Sequence, residues 1–188
     1  MKEWKIVYTE GAPDWESADY APLCDVVTGA VPTLTTKVAA FYNERGLFVR
    51  FVCEDNGIVA TMTSFNDPIY EEDVVEMFLD DDGDPATYYE FNVSPIGTHL
   101  HYVVMAPNIK FARIEDHIKS RVSVTENLWT ATVFVPASEF TRPPQKGRVW
   151  RGNFYRIDRG ETDEYSALSP TGKVQFHSPA HFLTIRFI

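Results

Sequence analysis

In residues 66–97 the chain reads NDPIYEEDVVEMFLDDDGDPATYYEFNVSPIG, and apolar and polar side chains alternate there along two short runs. This period of two predicts strands over residues 74–79 and 88–93, joined by an acidic turn. On the first strand the alternation places Glu76 among apolar neighbours. On the second it collects Tyr88, Glu90 and Asn92 on one face. The hairpin therefore presents acidic, amide and aromatic groups together at one part of a sheet, which suits a binding site.

Short strands separated by turn residues are predicted along the rest of the chain as well. Eight more are expected, at residues 5–8, 35–42, 47–53, 98–105, 122–124, 128–135, 148–158 and 183–187. Helical periodicity is nearly absent: single helical turns are expected only around Trp15, which is predicted to enter the core, and at residues 136–140. Roughly ten strands at regular spacing are typical of an all-β, antiparallel β-sandwich of the jelly-roll kind. Residues 1–188 are long enough for one domain with its own core.

Composition narrows the possible partners. A net charge of -10 and a sequence pI near 4.9 argue against nucleic acid and anionic membrane, which both need a basic patch. Neither a membrane-spanning run nor a signal peptide is expected in the chain given. Cys24 and Cys53 have no metal-binding spacing, and Cys53 is expected to be a buried thiol on its strand rather than half of a disulfide.

Several motifs in a fixed order resemble the family 9 carbohydrate-binding modules and the wider group of family 9-like domains. They are WESA at 15–18, LFVRFVCEDN at 47–56, YEEDVVEMFLD at 70–80, YYEFNVSPIGT at 88–98, RGNFYRID at 151–158 and FHSPAHF at 176–182. The resemblance implies a β-sandwich that binds mono- or oligosaccharides without altering them, commonly at chain ends. It also implies structural calcium in some members, a role as an accessory domain of a glycoside hydrolase, and a secreted or cell-surface location.

The resemblance carries over to particular positions. The family has an aromatic residue before the hairpin strand and a Glu six residues later, and Tyr70 and Glu76 stand there. Its second aromatic platform is a Trp followed by Gly near the C-terminus, for which the nearest match is Phe182 followed by Leu183. Because both residues differ, Phe182 is expected either to replace that platform or to belong to the core.

The chemistry of sugars explains why such residues would suit a carbohydrate-binding site. A pyranose stacks its C–H face on an aromatic ring and needs charged or amide partners for its hydroxyls. Tyr70 is therefore the expected stacking residue. The expected hydroxyl partners and further lining residues are Glu76, Glu90, Asn92, Arg50, Asn153 and Tyr155. An alternative for Arg50 and Glu76 is a buried ion pair with each other, and Tyr155 is alternatively a structural sheet residue.

Two other functions stay open at this point. Glu76 and Glu90 resemble the carboxylate pair of a glycosidase. The acidic surface alternatively suits a protein partner. The acidic run at 80–84 is expected to be a solvated hairpin turn, with a weak calcium site as the alternative. Its Gly and Glu positions exclude an EF-hand.

Overall fold

Strands are the main regular secondary structure of the fold. A computed structural model describes residues 3–105 and 109–188. The strands in these residues are β1 (Glu3–Tyr8), β2 (Ala21–Pro22), β3 (Cys24–Asp25), β4 (Thr36–Asn43), β5 (Gly46–Glu54), β6 (Val74–Asp80), β7 (Thr87–Val93), β8 (His99–Met105), β9 (Ile109–Ala112), β10 (Lys119–Val124), β11 (Leu128–Pro136), β12 (Val149–Asp158), β13 (Glu164–Ala167) and β14 (Leu183–Phe187). Helix within the described ranges is limited to 3-10 turns at Ile69–Glu71, Ala137–Glu139 and Pro179–His181. The prediction of an all-β fold is confirmed, with more strands than the ten expected.

The strands form two layers of one curled sheet. The front sheet has the order β9-β8-β7-β6-β12, with β14 and β13 along the far edge of β12 and β3 beyond β13. The back sheet has the order β10-β11-β5-β4, with β2 beside β4. β1 joins the layers, because its first half pairs with β14 and its end pairs with β4. These two pairings are parallel and the others are antiparallel, so the sandwich is antiparallel except at this seam.

The core lies between the two layers. It takes Val75, Met77 and Leu79 from β6, and Trp129 and Trp150 from β11 and β12, all buried. On the same inner side Trp4 packs its edge against Phe154, with ring centres 4.9 Å apart. The alternation predicted for the central hairpin is therefore confirmed on its apolar face.

Trp15 lies outside this core, so the prediction that it enters the core is wrong. Its half-buried ring is 5.4 Å from Phe41 and lies under the guanidinium of Arg50, on the outer face of the back sheet. The expected helical turn there is wrong, because residues 11–20 form bends without a helical turn. The stretch is interrupted by proline and has no sustained apolar period to hold a helix.

The prediction for the two cysteines is confirmed. Cys53 is buried, and both cysteines are free. Gly46 closes the β4–β5 hairpin at φ 149°, and a Cβ there would lie 2.1 Å from the Val135 carbonyl oxygen, so a side chain is excluded.

The outer face of the front sheet is also covered. Segments 56–73 and 168–182 fold across it and bury a second, smaller apolar layer. Its buried members include Phe78, Tyr88, Tyr155 and Phe182 in one group and Ile69, Val74, Leu100 and Ile157 in another. Polar residues on this face are therefore buried rather than exposed to solvent. No helix in the described part of the chain is long and apolar enough to cross a membrane.

Candidate functional site

Three polar side chains meet on the outer face of the front sheet. Strand alternation turns Glu76 of β6 and Glu90 and Asn92 of β7 away from the main core. The register places Glu76 opposite Asn92 on one side and opposite Tyr155 of β12 on the other. Side chains in such cross-strand positions are close neighbours. The carboxylates and the amide therefore form one group.

This group is almost completely enclosed. Glu76 is 2% exposed, Glu90 1% and Asn92 0%. The Asn92 amide nitrogen donates to Glu90 Oε1 at 3.2 Å, while Asn92 Oδ1 has no hydrogen-bond partner among the described residues. No hydrogen bond or ion pair from residues 3–105 or 109–188 reaches the Glu76 carboxylate. Buried polar atoms are normally satisfied, so these free acceptors point to a ligand.

Lys110 pairs with one of the two acids. Its Nζ lies 3.1 Å from Glu90 Oε2, within ion-pair range. Burial raises the pKa of Glu90, and the Lys110 ammonium and the Asn92 amide oppose the rise. Burial and the nearby Glu90 charge together raise the pKa of Glu76 well above its ordinary value.

Aromatic rings surround the acids. Tyr70, on the 3-10 turn Ile69–Glu71, and Tyr102 of β8 are half-buried, and the Lys110 ammonium lies 5.3 Å from the centre of each ring. Phe176 stacks flat on Tyr155 at 4.2 Å, and the Tyr155 hydroxyl donates to the Phe176 carbonyl oxygen at 3.0 Å. The site therefore combines a polar floor with an aromatic rim. The floor is formed by Glu76, Glu90 and Asn92, and the rim by the rings of Tyr70, Tyr102, Tyr155 and Phe176.

His177 closes one side of the site as a neutral imidazole. Its Nδ1 is 2.7 Å from the Tyr88 hydroxyl, and its Nε2 is 3.8 Å from Glu90 Oε2. Burial, with the Lys110 charge, lowers the pKa of His177 to about 4. The ring is therefore uncharged at neutral pH and offers hydrogen bonds rather than charge.

Five of the eight predicted site residues come together here. They are Tyr70, Glu76, Glu90, Asn92 and Tyr155. Asn153 lies on the same face, but its amide is occupied: it donates to the Ser169 carbonyl oxygen at 2.7 Å and accepts from the Ser169 N–H at 2.9 Å. Phe182 is 6% exposed and packs edge-on against Tyr88, with ring centres 5.3 Å apart. In this structure Asn153 and Phe182 therefore pack behind the site residues.

Arg50 lies elsewhere. It projects from the outer face of the back sheet, where its Nε donates to Thr132 Oγ1 at 2.8 Å and its guanidinium covers Trp15 at 4.7 Å. The interpretation of Arg50 and Glu76 as an ion pair is wrong, because β5 and β6 belong to different layers.

Sequence reasoning missed four residues of the site, namely Lys110, Tyr102, Phe176 and His177. Tyr102 had a signal, because the predicted strand at 98–105 places it on the face that pairs with Glu90. Lys110 had none, since β9 was not predicted. Phe176 and His177 belong to a loop that only the tertiary fold brings over the sheet.

A second polar cluster lies at strand ends from both layers, because Asp55 follows β5, Asp73 precedes β6 and Asp158 ends β12. Buried Asp55, Asp73 and Asp158 each place a carboxylate oxygen within 4.8 Å of the others. Arg156 Nη2 lies 3.0 Å from both Asp55 and Asp158, and Asp73 accepts from the Val59 and Arg159 N–H groups. Burial raises the pKa of Asp158 to about 6, Asp55 and Asp73 add to the rise, and Arg156 opposes it.

The acidic turn at 80–84 is built differently. Asp80 Oδ1 accepts from the N–H groups of Asp82 and Gly83, and Asp82 Oδ1 accepts from Asp84. These bonds shape the hairpin turn itself.

Comparison with known proteins places the fold among carbohydrate-binding domains. A crystal structure of a candidate carbohydrate-binding protein from Bacteroides uniformis superimposes with a TM-score of 0.82 at 20% identity, covering 100% of this chain and 99% of that one. A family 9 carbohydrate-binding module from Caldicellulosiruptor kristjanssonii, in complex with glucose, gives 0.70 at 16% identity, covering 100% and 96%. The same organism's module in complex with cellotriose gives 0.69 at 17%, covering 99% and 93%.

Sequence comparison agrees. A protein of Arthroderma benhamiae named "Extracellular protein" is 29% identical over 178 residues, which is 84% of this chain and 80% of that protein. The model of the carbohydrate family 9 binding domain-like family matches residues 9–185. The chain therefore belongs to the carbohydrate family 9 binding domain-like family.

Proposed function

We propose that the protein binds a mono- or oligosaccharide, without altering it, on the outer face of the front sheet. The observation that carries this proposal is the enclosed group Glu76, Glu90 and Asn92 under an aromatic rim. In the described residues Asn92 Oδ1 has no hydrogen-bond partner, and Glu76 has neither a hydrogen bond nor an ion pair. Family membership and the two structural neighbours in complex with glucose and cellotriose support the same ligand class.

Each part of the site has a role in this proposal. The half-buried rings of Tyr70 and Tyr102 provide apolar surfaces for the C–H face of a pyranose. Glu76 and Asn92 Oδ1 accept hydrogen bonds from sugar hydroxyls, and Glu90 is held in place by Lys110 and the Asn92 amide. Tyr155 and Phe176 form a rigid stack that fixes the side of the site.

A sugar reaches this floor only if the rim opens. Because Glu76 is 2% exposed, Tyr70 or the Lys110 side chain must swing aside to admit a ring. The loops at 69–71 and 176–177 cover the floor, so the shape suits the end of a chain better than its middle. The extracellular name of the fungal relative supports a location outside the cell.

Calorimetry with glucose and cellotriose tests the proposal. We expect binding of at least one of them, a weaker affinity in Asn92→Ala, and no turnover of aryl glycosides. Asn43→Ala, a buried asparagine in the β4–β5 hairpin, is the matched control and should bind normally. Turnover that disappears in Glu76→Gln or Glu90→Gln would instead establish the glycosidase. Absence of binding across a glycan array would contradict the proposal and favour a protein partner.

A further inference from the structure

The floor of the candidate site holds one more buried carboxylate than it has cations to pair with. Lys110 pairs with Glu90 at 3.1 Å, and Glu76 is left with neither an ion pair nor a hydrogen bond in the described ranges. His177, the remaining basic side chain at the rim, is uncharged at neutral pH. A buried carboxylate without a partner is costly, and this cost is what raises the pKa of Glu76. A cation placed beside Glu76 would offset the cost and favour the ionised carboxylate.

Arg159 is the other cation near enough to influence Glu76, but its guanidinium is already engaged. It binds Asp163 and the Tyr165 hydroxyl through Nη1, and it donates to the carbonyl oxygens of Glu71 and Tyr70 through Nε and Nη2. These bonds fasten the 3-10 turn that carries Tyr70. Arg159 therefore cannot turn to Glu76 without releasing that turn.

The site already accommodates an ammonium group. Lys110 Nζ lies 5.3 Å from the ring centres of both Tyr70 and Tyr102 and next to Glu90. Aromatic faces and a carboxylate are the surroundings that favour an alkylammonium ion. A neutral sugar would offer Glu76 only hydroxyl donors. A protonated amine would offer three N–H donors and, in addition, the positive charge that no side chain supplies to Glu76 in the described ranges.

We propose that the preferred ligand is an amino sugar with a free amine, whose ammonium group pairs with Glu76. This inference rests on the proposed function, since it names the ligand class of the same site. An N-acetylated sugar lacks the charge, because its nitrogen is an amide. The ligand class is thus a hexosamine or a partly deacetylated oligosaccharide.

Calorimetry at pH 6.5 with the methyl glycosides of glucose, glucosamine and N-acetylglucosamine tests this inference. In the wild type we expect the glucosamine derivative to bind about ten times more tightly than the other two. The 3-amino and 6-amino isomers of the glucoside are titrated as well. The isomer whose affinity exceeds that of the glucoside most identifies the edge of the sugar ring that faces Glu76.

Two variants and one control locate the effect. Glu76→Gln should abolish the preference for the amine while glucoside binding persists. Lys110→Met should increase the preference, because it leaves Glu90 unpaired as well, and it tests the inference even if Glu76→Gln fails to fold. Glu10→Gln removes one exposed acidic charge away from the site and should leave the preference unchanged.

Failure of the inference and failure of the proposed function look different. Glucoside binding as tight as that of every amino sugar, or an amine preference that survives in Glu76→Gln, overturns the inference and leaves carbohydrate binding intact. Absence of binding by every sugar overturns both.

Discussion

Tyr70 is a rim residue whose loss should weaken sugar binding more than folding. Its half-buried ring lies on a 3-10 turn at the edge of the small outer layer, over the Lys110 ammonium. We expect Tyr70→Ala to lower sugar affinity about tenfold, roughly 1.4 kcal/mol, with little change in melting temperature. Tyr20→Ala is the matched control, because Tyr20 is also half-buried beneath a lysine, Lys37, but at the back sheet. Equal affinities in both variants would remove Tyr70 from the site.

His101 makes stability depend on pH. It is fully buried against Phe91, both ring nitrogens lack hydrogen-bond partners among the residues described, and Glu139 is 3.6 Å away. Burial lowers its pKa to about 4; Arg113 and His117 add to this, while Glu139 opposes it. Below the unfolded-state pKa of about 6.5, only the unfolded chain gains this proton, so stability falls as pH drops from there towards 4.

The variant His101→Phe should remove that dependence. Between pH 7 and pH 5 the wild type should lose about 2 kcal/mol more unfolding free energy than the variant, measured by urea denaturation. At pH 7 the variant should be nearly as stable, because no hydrogen bond is lost. The exposed His181 provides the control: His181→Gln should keep the wild-type pH dependence. A parallel fall in the wild type and His101→Phe would contradict the assignment.

The polar floor was predictable side chain by side chain, but its surroundings were not. A period of two and one hairpin suffice to place Glu76, Glu90 and Asn92 together. Arg50 satisfies the same period, yet a sandwich has two outer faces that look alike in sequence, and only strand order separates them. Lys110 reaches Glu90 through a long flexible side chain, which no periodicity encodes.

Strand β12 contains a close backbone approach at Gly152. A Cβ there would lie 2.6 Å from the Phe78 carbonyl oxygen and 3.0 Å from the Ile185 and Leu79 side chains. We expect Gly152→Ala to lower the free energy of unfolding by about 1–3 kcal/mol, since a rigid sheet cannot make room. Gly57→Ala, where nothing lies within 4 Å, should change stability by less than about 0.5 kcal/mol in the same denaturation experiment. Similar losses at both positions would contradict this explanation.

We propose that a structural calcium ion binds at the strand ends beside Asp55, Asp73 and Asp158. Carboxylate oxygens are the ligands calcium prefers, and bound calcium would compete with Arg156 for Asp158. Millimolar calcium should raise the melting temperature and a chelator should lower it. Because burial raises the pKa of Asp158 to about 6, its proton competes below that pH, and the response should be larger at pH 7.5 than at pH 5.

Two variants distinguish this cluster from the acidic hairpin turn. Asp158→Asn should abolish the calcium response, whereas Asp82→Asn should keep it. Loss of the response only in Asp82→Asn would place the ion at residues 80–84, and an unchanged melting temperature in the wild type would contradict calcium binding altogether.

The strands with clear alternation were predicted to within two residues, β10 was predicted three residues too short, and β2, β3, β9 and β13 were missed. β6, β7 and β14 alternate in sequence and are recognisable in isolation, although the fold buries β6 on both faces. β9 has four exposed residues, so nothing in its sequence marks a buried side. β13 lies in a polar loop and exists because β12 and β3 offer their edges. Edge strands of this kind are created by their neighbours.

The two layers share one core through β1, and this predicts how the protein unfolds. Residues 1–188 should unfold as a single domain, since the core cluster takes side chains from both sheets. Far-ultraviolet circular dichroism and tryptophan emission should give coincident urea transitions. Two separated transitions would show that the layers are independent units.

The positions of the four tryptophans have an optical consequence. Trp4, Trp129 and Trp150 lie between the layers, and Trp15 lies on the outer face of the back sheet. The candidate sugar site is lined by tyrosine, phenylalanine and histidine rings instead. Tryptophan emission therefore reports the integrity of the core and changes little when sugar fills the front face. A shift of the unfolding midpoint on adding sugar then measures stabilisation by binding, without a change in the emission of the native state.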